Sequence, residues 1–349
     1  IHISVQNEDK NKNILIDGGM PNTYVSLKGK KGKAESGELK LLIESLNEKQ
    51  EKIDLLILTH VDDDHIGGIL RWFEKDHNAL SMIDQVWFNS GRLIKENFEQ
   101  DNENNYDNSI EFAIEDSNET SIAQGVKFED LIESKHGLWR RELIKTPAVI
   151  NFEDIEFRIL SPNESRLKLL LKKWEKEKPE SLETSAKETD YTMSIKEHIL
   201  NDASFEEDKA VHNGSSISFI MSLASKKALF LGDAHPSVLI ASLADLGFSK
   251  KNPLTVDFVK LSHHGSMFNT NKEFFELVTS KKYIISTNGD KHAHPHKRLL
   301  ARLINQCNDC ELYFNYPEII DKIFSDEDKK DFPNIKLLMS DDLQNTSEK

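Results

Sequence analysis

The sequence predicts an α/β protein, on three observations. Short, continuously apolar runs such as "IDLLILT" (53–59) are too short for an amphipathic helix and read as buried strands. Segments with helical spacing alternate with them, such as "LKLLIESL" (39–46), with Leu39, Leu42, Ile43 and Leu46 on one face. Histidines and aspartates stand where these runs end, the usual place for sites in such folds.

The elements follow in order. "NILIDGG" is a short strand ending in Asp17 and two glycines, and 39–46 is a helix. The strand 53–59 leads into a helix opening at "IGGILRWF", and "QVWFNS" (85–90) is another strand. The middle, about 91–210, is polar and rich in Glu, Lys and Asn. There "SIAQGVKFEDLIES" and "SRLKLLLKKWEKEKPE" read as helices and "VINFEDIEFRILSP" as two strands, while 175–210 reads as a charged surface excursion. The last third returns to alternation. "SSISFIMSL" and "KALFLGD" are paired strands, and "HPSVLIASLADLG" is a helix closed by glycine. The strand "TVDFVKLSHHGS", a helix near 271–280, the strand "YIISTNGD" and the helix "KRLLARLINQ" follow, with a polar tail over 341–349.

With 349 residues the chain can form one large domain or two ordinary ones. Charged residues reach 30% against 38% hydrophobic, which marks a soluble protein with a heavily charged surface. No apolar run approaches the roughly 18 residues of a membrane span, and no secretory leader is read, so no membrane partner is expected. A net charge of −15 argues against broad electrostatic capture of nucleic acid, though it allows a local basic groove. Two cysteines, Cys307 and Cys310, cannot build a disulfide framework, so a reducing, cytoplasmic setting is expected. Their C-x-x-C spacing lacks a second ligand pair for zinc and falls at a helix end, so they read as packing thiols.

The chemistry concentrates in "LTHVDDDHIGG". His60 and Asp62 are two apart, so in an extended loop they point the same way. Asp64 and His65 stand at the start of the next helix, and Gly67 and Gly68 allow close approach of backbone or ligand. Imidazole with carboxylate suits Zn²⁺, Mn²⁺ or Fe²⁺. Four such groups can serve two ions, His60 and Asp62 on one, Asp64 and His65 on the other. An acidic helix N-cap would explain Asp63 or Asp64 but not the two histidines. Three further loops add groups: Asp233 in "FLGDAH", able to bridge two ions; His263 and His264 in "KLSHHGS"; and His212 in "VHNGSS". "KHAHPH" places His292, His294 and His296 at alternate positions, either as helix-capping loop residues or as groups that meet substrate and protonate a leaving oxygen.

These motifs resemble the metallo-β-lactamase-fold hydrolases, and most of all the branch that includes the hydrolase domain of the competence protein ComEC/Rec2. The resemblance runs over about 12–80 and 211–306. It rests on Asp17 in "LIDGG", on "HVDDDH" in place of H-x-H-x-D-H, on Gly232-Asp233, on "SHHGS" and on "AHPH". It implies an αββα sandwich, two mixed sheets face to face with helices outside, as a single domain over 1–340 with a polar helical insertion at about 91–210. It also implies two divalent metal ions, zinc or manganese, with iron as a third candidate. Asp62 stands where the family has histidine, which replaces a nitrogen by a hard oxygen and tilts preference from zinc toward manganese or iron. His212 is placed for the histidine that precedes the bridging aspartate. In similar sequences "NGSS" is the more regular feature, with Asn213 and Ser215 shaping the site. His263 is favoured over His264 because it ends the strand, and Asp17 is expected to orient a ligand from behind it.

The activity so implied is two-metal hydrolysis, in which a hydroxide held between the ions attacks a phosphodiester, in nucleic acid or in a smaller molecule. Asp64, His294 and His296 are the expected catalytic residues. The alternative is a metal-containing binding or assembly module of a bacterial multi-gene system, such as phage defence, with a protein partner docked on 91–210.

Overall fold

A computed structural model describes residues 1–6, 11–26, 35–100, 121–174, 189–202, 204–290, 293–307 and 309–346. The chain forms two compact units, one of Ile1–Ile144 with Ser165–Leu182, the other of Lys145–Glu164 with Glu183–Lys349. No described helix is long and apolar enough to cross a membrane.

The first unit holds a four-stranded mixed sheet. β1 (His2–Val5) pairs antiparallel with β2 (Lys12–Ile16). β3 (Val25–Ser26) and β4 (Glu35–Ser36) form a separate small ribbon. β5 (Leu55–Ile57) runs parallel to β2, and β6 (Val86–Trp87) parallel to β5. Ile14, Leu15 and Ile16 pair with Leu55, Leu56 and Ile57, and all six are buried. Burial of both faces is why these runs are continuously apolar rather than alternating. The helices are α1 (Glu38–Glu48), α2 (Asp63–Lys75), α3 (Gly91–Gln100), α4 (Ser121–Glu133) and α5 (Glu164–Trp174). The indole of Trp174 lies over Gly91 and Gly125, where a Cβ would come within 2.5 and 2.6 Å of the ring.

The second unit holds an eight-stranded mixed sheet. β7 (Ala148–Phe152), β8 (Ile155–Ser161), β9 (Ser218–Leu223) and β10 (Lys226–Phe230) run antiparallel in turn. β11 (Leu254–Thr255) stands apart, paired with β13 (Val278–Thr279). From β10 the sheet continues in parallel through β12 (Phe258–Lys260), β14 (Lys282–Ile285), β15 (Glu311–Phe314) and β16 (Lys336–Met339). Around it lie α6 (Ile195–Leu200), α7 (Val211–Gly214), α8 (Pro236–Asp245), α9 (Lys272–Leu277) and α10 (Lys297–Gln306). α11 (Ile320–Ile323) and α12 (Asp326–Asp331) follow. Cys310 is buried in this unit's core, as expected of a packing thiol.

Two expectations about the middle of the chain need correction. Residues 145–164, placed within the insertion at 91–210, supply β7 and β8 of the large sheet. Residues 189–202, read as a surface excursion, bury Ile195 and His198. Two of their carboxylates meet partners far along the chain. Asp190 accepts hydrogen bonds from the amides of Lys297 and Arg298 at the start of α10, at 2.8 and 2.9 Å. Asp202 takes both Arg298 and Arg302 of the same helix. Charge composition alone cannot tell a solvated run from one that meets opposite charge far along the chain. The parts of these expectations at 101–120, 175–188 and 347–349 lie outside the described residues.

Candidate metal centre

In the first unit the sheet delivers the "HVDDDH" loop. Beyond β5, Leu58 still donates to Trp87 O, and Thr59 N then turns to Asp17 Oδ1 at 2.8 Å. Asp62 is the N-cap of α2 in extended conformation, and Asp63 and Asp64 occupy its first turn. His60 Nε2 and Asp62 Oδ2 lie 3.6 Å apart, on one side as their spacing predicts. Two atoms each about 2.1 Å from a tetrahedral ion sit about 3.4 Å from one another, so the pair is spaced as ligands of one ion. Ligand atoms of His60 and His65 approach within 4.8 Å, as do those of Asp64 and His65. Asp63 is engaged differently: its Oδ1 accepts from Gln124 Nε2 of α4 at 2.9 Å.

Asp17 sits behind these groups. Its Oδ2 is 2.7 Å from His65 Nδ1 and 2.8 Å from the Thr59 hydroxyl. Thr59 Oγ1 is also 3.2 Å from His60 Nδ1. With the hydroxyl proton given to Asp17, Thr59 accepts from His60, and both rings carry their proton on Nδ1 with Nε2 left as the donor atom for an ion. Burial alone would raise the Asp17 carboxyl. The charge and hydrogen bond of His65, with the Thr59 amide, outweigh it and hold Asp17 below the usual carboxylate range. The two glycines of the motif serve backbone approach. Gly68 N donates to Gly19 O at 2.7 Å, and a Cβ on Gly68 would stand 2.1 Å from Gly18 O.

In the second unit, Gly232 takes φ 50° and Asp233 N donates to Ser216 Oγ at 3.0 Å, so the buried Asp233 carboxylate is fixed at its own backbone. His263 Nε2 lies 3.7 Å from Asp233 Oδ2, again a spacing that one ion fits. His263 and His264 both hold left-handed backbone, φ 45° and 54°, before Gly265 at 90°. Non-glycine residues in that region are uncommon and gather at functional sites. The His264 ring is turned by Nδ1 donating to Ser286 O at 2.6 Å. Both histidines are therefore oriented, and β12 ends at Lys260, ahead of either.

His294 stands edge-on to His263, ring centroids 4.8 Å apart. Its Nδ1 is 3.2 Å from Nδ1 of His296, which accepts from Met267 N at 3.2 Å. His296 Nδ1 is thus the acceptor, and His294 carries its proton on Nδ1. Neutral His294 then presents Nε2 as an acceptor, and only the imidazolium donates there. His292 lies outside the described residues. His212 is buried on α7, and Ser215 turns its hydroxyl to His212 O at 2.6 Å, closing that short helix.

Three residues of this network carried no motif signal: Asp208, His235 and Asn269. Asp208 Oδ2 accepts from Asn213 Nδ2 at 2.6 Å and Asn269 Nδ2 at 3.0 Å, and its Oδ1 from Ala210 N at 2.9 Å. His263 Nδ1 is 3.5 Å and His235 Nε2 is 3.9 Å from the same carboxylate. Burial would raise Asp208, but these hydrogen bonds hold it far below the usual range. Burial would likewise lower His263. Asp233 first, then Asp208 and Asn269, reverse this and push it up to about 9. Asp208 stands at the end of the acidic run "FEED", where its composition hides it.

Each unit therefore presents buried nitrogen and oxygen donors at ligand spacing with their rings fixed from behind, which fits divalent metal. A family model described as the metallo-beta-lactamase superfamily matches residues 5–289. No curated protein matches the sequence. Among solved structures, a mutant of the CmlA beta-hydroxylase is similar at 13% identity and a TM-score of 0.37, covering 97% of this chain and 50% of that one. The chain spans about half the length of that structure.

Proposed function

The chain belongs to the metallo-beta-lactamase superfamily, and from that premise we propose that it is a metal-dependent phosphodiesterase of the ComEC-like branch. The observation that carries this reading is the His294 ring set 4.8 Å from that of His263. A second titratable ring beside an oriented ligand histidine suits a reaction whose leaving oxygen needs a proton.

In this scheme His60, Asp62, Asp64 and His65 are the residues of the first unit that would hold divalent metal, and Asp233 and His263 are those of the second. Bound ions supply Lewis acidity and lower the pKa of water to about 7. Asp17 and Thr59 orient His65 and His60, and Asp233 would give negative charge to the metal it holds with His263. His294 meets the substrate, held by His296, and as the imidazolium gives the proton from Nε2 to the leaving oxygen. Nucleic acid and small phosphodiesters are the two forms of substrate, and the net charge of −15 favours the smaller.

The test compares bis(p-nitrophenyl) phosphate, single-stranded DNA, a chromogenic β-lactam and a thioester, each with added Mn²⁺ or Zn²⁺. Phosphodiester turnover that vanishes in Asp233→Asn together with bound metal is the expected result. Full metal binding with no turnover on any substrate would instead favour the assembly-module reading.

A further inference from the structure

We infer that Asp208 is a positioning residue for metal binding, setting the direction and tautomer of His263 through Asn269. This rests on the reading that Asp233 and His263 hold an ion.

The argument begins with the Asn269 amide. Its Nδ2 donates to Asp208 Oδ2 at 3.0 Å and to the Asp233 carbonyl oxygen at 3.0 Å. Both partners are acceptors, so the amide has one orientation, with Oδ1 on the other side. That oxygen lies 3.0 Å from His263 Nδ1. The nearest partner of Nδ1 is thus an acceptor; the Asp208 carboxylate, also an acceptor, follows at 3.5 Å, and the Asn213 amide nitrogen, at 3.4 Å, gives its short bond to Asp208 Oδ2 at 2.6 Å. His263 therefore carries a proton on Nδ1, and its Nε2 faces Asp233 Oδ2 at 3.7 Å. An ion between those two atoms needs the Nε2 lone pair, which is free once an ion displaces the Nε2 proton while Nδ1 keeps its own.

Asp208 is built for holding rather than ligating. Ala210 N occupies Oδ1, and the Asn213 and Asn269 amides occupy Oδ2. Its own position is fixed by Asp208 N donating to Phe268 O at 3.0 Å, next to Asn269 in the chain. The carboxylate and the histidine are 55 positions apart, so nothing in local sequence announces the pairing. Loss of a group that orients a ligand histidine typically weakens metal binding about 10–100-fold.

The experiment is a double-mutant cycle read by metal affinity in the full chain. Asp208→Asn, His263→Ala and the double variant are titrated with Zn²⁺ and Co²⁺ against a chelator, and the Co²⁺ absorption band is recorded. Asp208→Asn should raise Kd about 10–100-fold. In the His263→Ala background the same change should matter by less than about twofold, because the group it acts through is gone. The unfolding temperature of metal-stripped Asp208→Asn serves as the fold control. Should that variant not fold, Asn269→Leu cuts the same link and enters the same cycle. Equal losses of affinity in both backgrounds would overturn the inference while leaving the metal reading intact. Absence of Zn²⁺ and Co²⁺ binding in the parent chain would overturn both together.

Discussion

Nδ1 of His65 lies 2.7 Å from Oδ2 of Asp17, and the same carboxylate holds the amide and hydroxyl of Thr59. One side chain at the end of β2 thus fixes the His65 ring and, through Thr59, the His60 ring. Asp17 itself has φ 57°, a conformation that asparagine tolerates well. Asp17→Asn should keep the fold yet weaken metal binding about 10–100-fold, as measured by chelator competition. Unchanged affinity would show that His65 needs no such partner.

His294→Ala should retain metal, since the proposed ligands do not include it, and lose turnover by about 10²–10⁴-fold. Substrates with a good leaving group, such as a nitrophenolate, should lose less, because their oxygen departs without a proton. Elemental analysis of the variant decides the matter. If metal leaves with the ring, His294 is a ligand.

Gly68→Ala should destabilise by about 1–3 kcal/mol or more, because its Cβ meets the Gly18 carbonyl oxygen at 2.1 Å. The cost falls on the turn that carries Asp17, so the same variant should also lose metal affinity. Chemical denaturation of the metal-stripped protein gives the first effect and chelator competition the second. A stable variant would mean that α2 can slide along the turn.

Glu129 is buried against Ser90 Oγ at 2.6 Å, with Arg92 at 3.9 Å. Burial pushes its carboxyl up from 4.5 to about 7. The folded state therefore binds this proton more tightly than the unfolded one. The stability so contributed is complete below pH 4.5 and is lost as pH rises through about 7. At about 1.4 kcal/mol per unit the loss amounts to roughly 3 kcal/mol. Glu129→Gln should remove that slope between pH 5 and 8, measured by urea denaturation across the range. An equal slope in both proteins would mean that Glu129 stays ionised when folded.

The strand runs 14–16 and 55–57 were legible because burial on both faces leaves no polar residue in them, and the approach of His60 and Asp62 beyond β5 was legible by spacing. β15 and β16 were not read, since "ELYF" and "KLLM" are short and partly polar, and only pairing with β14 makes them strands. Asp208, Asn269 and the Asp190 cap of α10 escaped for another reason. Each acts on residues tens of positions away, and polar residues in polar surroundings leave no periodicity to detect. Ser215 was expected to shape the site, with Asn213, on the regularity of "NGSS" in similar sequences. The structure shows that its neighbour Ser216 holds the Asp233 amide instead.

The order of the large sheet has a practical consequence. The family match ends at residue 289, whereas β15 and β16 follow it and extend the sheet beyond β14. A fragment trimmed to the matched region would leave β14 as an open edge, with one row of amides and carbonyls ready to pair with another copy. It would also lose Lys297 and Asp328, whose 2.6 Å ion pair is buried in the same unit. Such a fragment would self-associate, and an aggregated sample would then be mistaken for an inactive one.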